Sequence, residues 1–137
     1  MTQSDDAAVD IRALVHAQAS AWVAGDADAI AGAFADPCEF IVPGMRLTHP
    51  HEIRRAVEDH RALYRDVRVE VNQIIVQGDR AAVEWTWTDT NKDTGATARV
   101  QDAIVLRVAR GKLVYWREYL DCTPRHGDDA SPPGAAD

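Results

Sequence analysis

Two stretches near the end of the chain decide its fold: Val100-Gln-Asp-Ala-Ile-Val-Leu-Arg-Val108 and Leu113-Val-Tyr-Trp-Arg-Glu-Tyr-Leu-Asp121. In both, one set of alternate positions is mainly apolar, which is the two-residue period of a β-strand with one buried face. Arg110-Gly111 stands between them with turn chemistry. They therefore predict two successive strands whose shared inner face locates the core.

Two further strands are predicted upstream. Residues 67–77 and 83–88 also alternate, and Gly78-Asp79 supplies the hairpin turn between them. The apolar alternation shifts phase within residues 71–74, which predicts a β-bulge there. A loop over 91–95 leads into the next strand.

The beginning of the chain follows the helical period instead. Apolar residues spaced three and four apart predict a first helix that Ser4 caps and Gly25 ends. Asp26 is placed to cap a short second helix that ends near Phe34.

Asp36-Pro37 is predicted to break the chain, because a residue before proline is pushed out of the helical region. A strand over residues 39–42 then reaches a turn at Pro43-Gly44, and a third helix begins within 48–51 with its proline in the first turn. Helices come first and hairpins last. This order predicts an antiparallel α+β domain and not an alternating parallel sheet.

The chain has 137 residues, which fits one domain. We expect that domain to span residues 1–122. Residues 123–137 are rich in Pro, Gly, Asp and Ala with no large apolar residue, so we expect a disordered tail.

Charge and composition exclude several classes of partner. The formal net charge is −7 and no block of Lys or Arg occurs, so we expect no nucleic acid partner. No apolar run approaches the ~18 residues of a membrane span, and we expect a cytoplasmic protein with no membrane partner. Cys38 and Cys122 lie far apart, which favours reduced thiols over a disulfide or a zinc site.

Two acids fall on the predicted inner face of the sheet. In the last strand, Glu118 shares its face with Val114, Trp116 and Leu120, and in the strand before it Asp102 alternates with apolar residues. Burial raises the pKa of a carboxyl group, so such an acid can donate or accept a proton near neutral pH. We predict Glu118 as the principal catalytic acid or base and Asp102 as its partner.

The alternative is a closed polar network in which each carboxylate meets an arginine, an indole N–H or backbone donors. Arg54, Arg99 or His60 could supply such a partner. His60 lies on the apolar face of the third helix, where it is either a core histidine or a second proton carrier.

Large side chains on the inner faces predict an aromatic pocket for a small apolar ligand. The simpler interpretation is a tryptophan-rich core. Gln18 is the one polar residue on the inner face of the first helix. Its amide either reaches the cavity as a hydrogen-bond partner or is a core amide with its hydrogen bonds satisfied. The predicted binding residues are Trp22, Gln18, Phe40, Val42, Tyr64, Trp85, Trp87 and Trp116.

His49-Pro50-His51 has two imidazoles but no third ligand at suitable spacing, and Pro50 already explains the segment as a helix start. We therefore expect no metal. No nucleotide-binding, nucleophilic-serine or metalloprotease motif occurs, and we expect no cofactor.

Ala24-Gly-Asp-Ala-Asp-Ala-Ile30 with Phe34-Ala-Asp36, and the ending Gly111-Lys-Leu-Val-Tyr-Trp-Arg-Glu-Tyr-Leu-Asp121, resemble the nuclear transport factor 2-like superfamily, particularly its SnoaL-like proteins. The resemblance covers about residues 5–121. It implies the cystatin-like α+β cone, in which N-terminal helices pack in a curved antiparallel sheet around an internal pocket. The superfamily includes polyketide cyclases, limonene epoxide hydrolase, ketosteroid isomerase and non-catalytic binding proteins. It implies the fold and not one activity.

Limonene epoxide hydrolase has an acid where this chain has Glu118, so the resemblance implies a catalytic role for Glu118. It has an arginine and a second aspartate on the strand where this chain has Trp85 and Trp87. Ketosteroid isomerase has its general base near the position of Val42 and its oxyanion-hole tyrosine near that of Gln18. Its protonated aspartate falls near Ile104. Asp102 lies two residues before Ile104 on the same face.

We predict a cofactor-independent acid–base enzyme, an isomerase, cyclase, dehydratase or hydrolase, acting on a small polyketide-, terpenoid- or steroid-like molecule. The alternative is a non-catalytic ligand-binding or dimerisation module. In either case we expect a homodimer through the outer sheet face, which carries Tyr115, Tyr119, Val105 and Arg107.

Overall fold

The computed structural model describes the backbone of residues 2–122 and the side chains of residues 11–121. Three helices are present in this part of the chain: α1 (Thr2–Ala24), α2 (Ala27–Gly32) and α3 (Pro50–Leu63). The side chain of the predicted cap Ser4 and the predicted tail 123–137 lie outside the described residues.

Six strands form a single curved sheet. In chain order they are β1 (Phe34–Val42), β2 (Met45–Leu47), β3 (Tyr64–Gln77), β4 (Arg80–Asn91), β5 (Thr97–Ala109) and β6 (Lys112–Cys122). Their spatial order is β2-β1-β6-β5-β4-β3, and every pair is antiparallel except β1 with β6. The predicted α+β class is confirmed, with one parallel pair that the prediction of an antiparallel sheet lacked.

The helix boundaries follow from local chemistry. Gly25, with a φ of 69°, ends α1, and the Asp26 carboxylate accepts a hydrogen bond from the backbone N–H of Ala29 at 3.1 Å. At the start of α3, the Glu52 carboxylate accepts the backbone N–H groups of Thr48 at 2.9 Å and His49 at 3.2 Å. These contacts satisfy helix-start donors that would otherwise lack partners.

The region around Asp36-Pro37 differs from prediction. These two residues lie inside β1 rather than at a chain break, and α2 ends at Gly32, before Phe34. The register between β1 and β6 shifts between Phe34 and Glu39, so the proline lies where the ladder is interrupted and its missing N–H costs no regular pair.

Register shifts between strands set which side chains enter the core. The register of β3 against β4 shifts between Val71 and Gln73, which confirms the predicted bulge, and also between Arg65 and Arg68, which was not predicted. A further unpredicted shift lies where β5 meets β6, at Arg107 and Val108. This shift places Leu113 in the core at 0% exposure, so the prediction that Val114 occupies this inner position is wrong.

The core lies between the helices and the inner face of the sheet. Trp85 and Trp116 are its largest fully buried side chains, at 1% and 0% exposure, and their ring centroids are 5.7 Å apart. Cys38 is buried with a free thiol. Within residues 2–122, no helix is long and apolar enough to cross a membrane.

Candidate active site

An internal cavity of about 260 Å³ opens between α3 and the inner face of the sheet. Its wall is mainly apolar, with contributions from α1, α3 and every strand except β3. Three ionisable side chains reach it: His60 from α3, Asp102 from β5 and Glu118 from β6. The three residues predicted to be catalytic therefore line one cavity.

Asp102 is held by a tryptophan on the neighbouring strand. It lies opposite Trp85 in the β4–β5 register, and the Trp85 Nε1–H donates to Asp102 Oδ2 at 3.1 Å. The residue is 5% exposed, and its buried Oδ1 has no hydrogen-bond partner in the described part of the chain. Burial and then the neighbouring Glu118 raise the pKa of Asp102 to about 9, so this carboxyl group is protonated at neutral pH.

Glu118 has a matching arrangement one strand away. It lies opposite Ile104, while Asp102 lies opposite Leu120, so the two acids are diagonal neighbours on one sheet face. The Trp116 Nε1–H donates to Glu118 Oε2 at 2.8 Å. Burial raises the pKa of Glu118, and the Trp116 hydrogen bond opposes that rise.

No cation neutralises this pair of acids among the described residues. Arg54 binds Asp28 at 2.8 Å instead, and His60 binds Asp89. The partners of the two acids are indole N–H groups, which was one of the alternatives open from the sequence. An indole N–H can donate to a carboxyl oxygen whether the carboxyl group is neutral or ionised. Asp102 and Glu118 can therefore still gain or lose a proton.

Asp89 was missed by the sequence analysis. It lies on β4 at 7% exposure, and its Oδ2 accepts Trp87 Nε1–H at 2.9 Å and contacts His60 Nε2 at 3.1 Å. The signal was present, because Trp85, Trp87 and residue 89 share strand parity. His60 is thus bonded to a buried carboxylate and not to a backbone carbonyl.

The residues predicted to bind ligand divide into two groups. Trp22, Phe40, Val42 and Trp87 line the cavity. The rest do not: Trp85 and Trp116 lie behind the two acids, and Tyr64 stacks on His60 with ring centroids 4.7 Å apart. Gln18 is buried away from this wall, where its Nε2–H donates to the Ile30 carbonyl at 3.1 Å.

Met45, Val100 and Leu120 line the cavity without having been predicted as binding residues. Val100 and Leu120 share strand parity with the two acids, so that signal was available. Met45 lies on the short strand β2, which had not been predicted at all.

The His49-Pro50-His51 segment lies outside the cavity. The two imidazoles stack with centroids 5.6 Å apart, and His49 Nδ1 contacts Asp36 Oδ1 at 2.7 Å, which raises the pKa of His49. Among the described residues, no group of three or more His, Cys, Asp or Glu side chains could hold a metal ion.

The fold and sequence pattern together define the family. The SnoaL-like domain profile matches residues 15–116, and the chain belongs to this family. No curated protein sequence matches the chain.

Solved structures share the fold at low sequence identity. A hypothetical protein of Catenulispora acidiphila with a ketosteroid isomerase-like fold, in complex with trimethylamine, has a TM-score of 0.76 at 20% identity, covering 88% of this chain and 92% of that one. An epoxide hydrolase of M. tuberculosis, described as LEH-like, scores 0.73 at 18% identity, covering 83% and 84%. A putative polyketide cyclase of Pseudomonas putida scores 0.66 at 24% identity, covering 79% and 89%. At these identities the likeness establishes the nuclear transport factor 2-like fold alone.

Proposed function

We propose that this chain is a cofactor-independent acid–base enzyme acting on a small, mostly apolar molecule. One observation carries the proposal: Asp102 and Glu118 share an apolar cavity, each accepts an indole N–H, and neither has a cationic partner in the described part of the chain. Paired acids with raised pKa values are typical of proton-transfer sites.

The two acids divide the chemistry between them. Asp102 Oδ2 accepts the Trp85 hydrogen bond, so Oδ1 is the oxygen left to carry the proton of the neutral acid. Such a carboxylic acid can donate a hydrogen bond to an oxygen that gains negative charge during reaction. Glu118, when ionised, accepts a proton from a carbon or a water molecule and later returns it. Isomerisation, cyclisation, dehydration and hydration can all proceed by these steps.

The cavity volume of about 260 Å³ lies just below the usual range of roughly 300–1,000 Å³ for small-molecule pockets. A pocket of about 620 Å³ shares Val42, Met45, Glu118 and Leu120 with it, so a polyketide-, terpenoid- or steroid-like compound has room to extend beyond the cavity. The related folds of a putative polyketide cyclase and an epoxide hydrolase are compatible with that class.

Hydrolysis by the limonene epoxide hydrolase route is less well supported. The chain has Trp85 and Trp87 on the strand where the resemblance implies an arginine and an aspartate, and both indoles donate to acids of this site. We therefore favour proton transfer within the substrate over activation of water.

The second candidate is a non-catalytic ligand-binding or dimerisation module. A homodimer is expected of either candidate, and the outer face of the sheet favours such a dimer. Ile75, Ala82 and Val105 form a row in register across β3, β4 and β5, and Ile75 and Val105 are 59% and 42% exposed. A neighbouring Tyr119 is 50% exposed. An apolar row of this kind suits a second copy of the chain. Light scattering of the wild type and of V105E tests this, because the charge would disfavour a dimer.

A panel of cyclic ketones, enones, tertiary alcohols and epoxides, incubated with the protein, tests the enzyme. On any compound that is converted, we expect E118Q to lower turnover by about 100-fold or more, the usual contribution of a general acid or base. E58Q, which changes an exposed glutamate of α3, is the matched control. Binding without conversion across the panel, or a loss of a few-fold in E118Q, would support the module instead.

A further inference from the structure

We propose that His60 and Asp89 form a second acid–base group of the same cavity, with Asp89 as the residue that positions the His60 imidazole. This inference rests on the proposed function and extends it. It concerns the α3 side of the cavity, whereas Asp102 and Glu118 occupy the inner face of β5 and β6.

Asp89 is built as a buried anchor. The residue is 7% exposed, does not line the cavity, and its Oδ2 receives Trp87 Nε1–H at 2.9 Å. The same oxygen lies 3.1 Å from His60 Nε2. One carboxylate oxygen thus joins an indole donor to an imidazole, which fixes the position of the carboxylate relative to the ring.

Aromatic rings hold the imidazole on several sides. Tyr64 stacks on His60 at 4.7 Å and an interplanar angle of 20°. Trp87 and Trp22 meet the imidazole edge-on, at 5.5 Å and 6.1 Å. A surface histidine needs no such enclosure, and a preorganised ring is what proton transfer requires.

The hydrogen bond to Asp89 determines the tautomer. A carboxylate accepts, so Nε2 carries the proton and Nδ1 is the acceptor nitrogen of the neutral ring. Nδ1 has no hydrogen-bond partner in the described part of the chain. A ligand O–H or C–H bond breaks, the Nδ1–H bond forms, and the electron pair stays on the ligand. The resulting imidazolium faces the Asp89 carboxylate, which stabilises it.

His60 also has a route for the proton to leave. It lines a second pocket of about 230 Å³, which shares Trp22 and Val57 with the internal cavity and includes charged side chains such as Arg61 and Lys92. The proton on Nδ1 can return to the ligand or pass to water on that side.

Asp89 is well separated from Asp102 along the sheet, because Asp102 lies opposite Trp85 and Asp89 is four residues further along β4, which is about 13 Å. The substrate meets His60 and not Asp89, and His60 lines the same cavity as the two acids from the α3 side. A substrate that uses both groups therefore has two polar functions on an apolar body. We assign the substrate to small bifunctional molecules such as hydroxyketones, in which a proton is removed at one end and delivered at the other.

Nitrogen-15 NMR of the imidazoles in the full-length chain tests this without a substrate. We expect His60, assigned by its loss in H60Q, to show the Nε2–H tautomer in the wild type. The proton on His60 Nε2 should exchange slowly with water in the wild type and faster in D89A, which removes its acceptor, while D59N, which changes an exposed aspartate of α3, should leave the exchange unchanged. The wild-type spectrum decides the tautomer even if D89A fails to fold.

A His60 in the Nδ1–H form, or an Nε2–H proton that exchanges as slowly in D89A as in the wild type, would overturn the proposal. On a panel compound converted by the wild type, D89N should reduce kcat by at least about ten-fold with little change in KM. Because the tautomer is measured without substrate, its failure is distinct from a failure of the Glu118 assignment.

Discussion

Asp102 and Asp89 are two buried aspartates on the same inner face with different neighbours. They are 5% and 7% exposed, and each accepts an indole N–H from β4. Asp102 is next to a second acid, Glu118, whereas Asp89 is next to an imidazole. Burial and the indole donor are nearly equal at the two sites, so the neighbour decides what each aspartate can do.

This difference gives the cavity two kinds of proton chemistry. A second acid beside Asp102 raises its pKa and keeps the proton on the carboxyl group. A histidine beside Asp89 lets the carboxylate support a proton on the ring instead. One wall therefore offers a neutral acid as a donor and the other an oriented base.

The largest expected effect is on how stability depends on pH. The folded pKa of Asp102 is raised to about 9, far above the ~3.9 of an unfolded aspartate, so the folded state binds more protons between these values. Its contribution to stability is complete below pH ~4 and is lost as pH rises towards 9. From pH 5 to 7, the wild type should lose roughly 2–3 kcal/mol of unfolding free energy that D102N does not lose.

Urea unfolding of both proteins at each pH measures this difference. D59N, with an exposed aspartate, should show the wild-type dependence. Equal pH slopes for the wild type and D102N would mean that Asp102 is ionised in the folded protein, and the contrast with Asp89 would disappear.

Removing the indole donor of each aspartate tests how much that hydrogen bond contributes to stability at the two sites. W85F leaves Asp102 without its hydrogen bond and opens space at a residue that is 1% exposed, so we expect a loss of about 2–3 kcal/mol. W87F leaves Asp89 with His60 as partner at a site that is less buried, and the loss should be about 1 kcal/mol. Thermal or urea unfolding at pH 7 compares them. A larger loss in W87F than in W85F would contradict this order.

Much of this site could be predicted from strand parity. Alternation placed Asp102 and Glu118 on the inner face, and helical spacing placed His60 towards the same core. The parity of a residue along a strand shows which face of the sheet its side chain is on. It does not show whether the side chain lines the cavity or lies behind other residues. Trp85 and Trp116 consequently looked like cavity walls, although their indoles lie behind the acids they bind.

Features that depend on pairing between distant segments were not predictable. Because of the bulge where β5 meets β6, Leu113 occupies the core position that had been predicted for Val114. The parallel pairing of β1 with β6 joins strands that are distant in the sequence. The inward orientation of Asp89 could have been predicted from its parity along β4. Its role depends on a contact with His60, 29 residues earlier, which alternation along one strand does not encode.

The smallest expected effect is the energetic coupling between the two acid–base groups. With about 13 Å between Asp89 and the position opposite Asp102, the changes in stability of D89N and D102N should add to within about 0.5 kcal/mol in the double variant. A double-mutant cycle by urea unfolding at pH 7 measures the coupling. A coupling above 1 kcal/mol would mean that the two groups form one network.

Tryptophan fluorescence between pH 4 and 10 tests the central claim most directly, because Trp116 and Trp85 touch the two acids. The wild type should show a transition well above the ordinary glutamate pKa of about 4.3, and this transition should vanish or shift in D102N and E118Q. The exposed-site variants E58Q and D59N should keep it. A flat trace above pH 5 in the wild type would contradict the account, because both acids would then be ordinary ionised groups of a closed polar network.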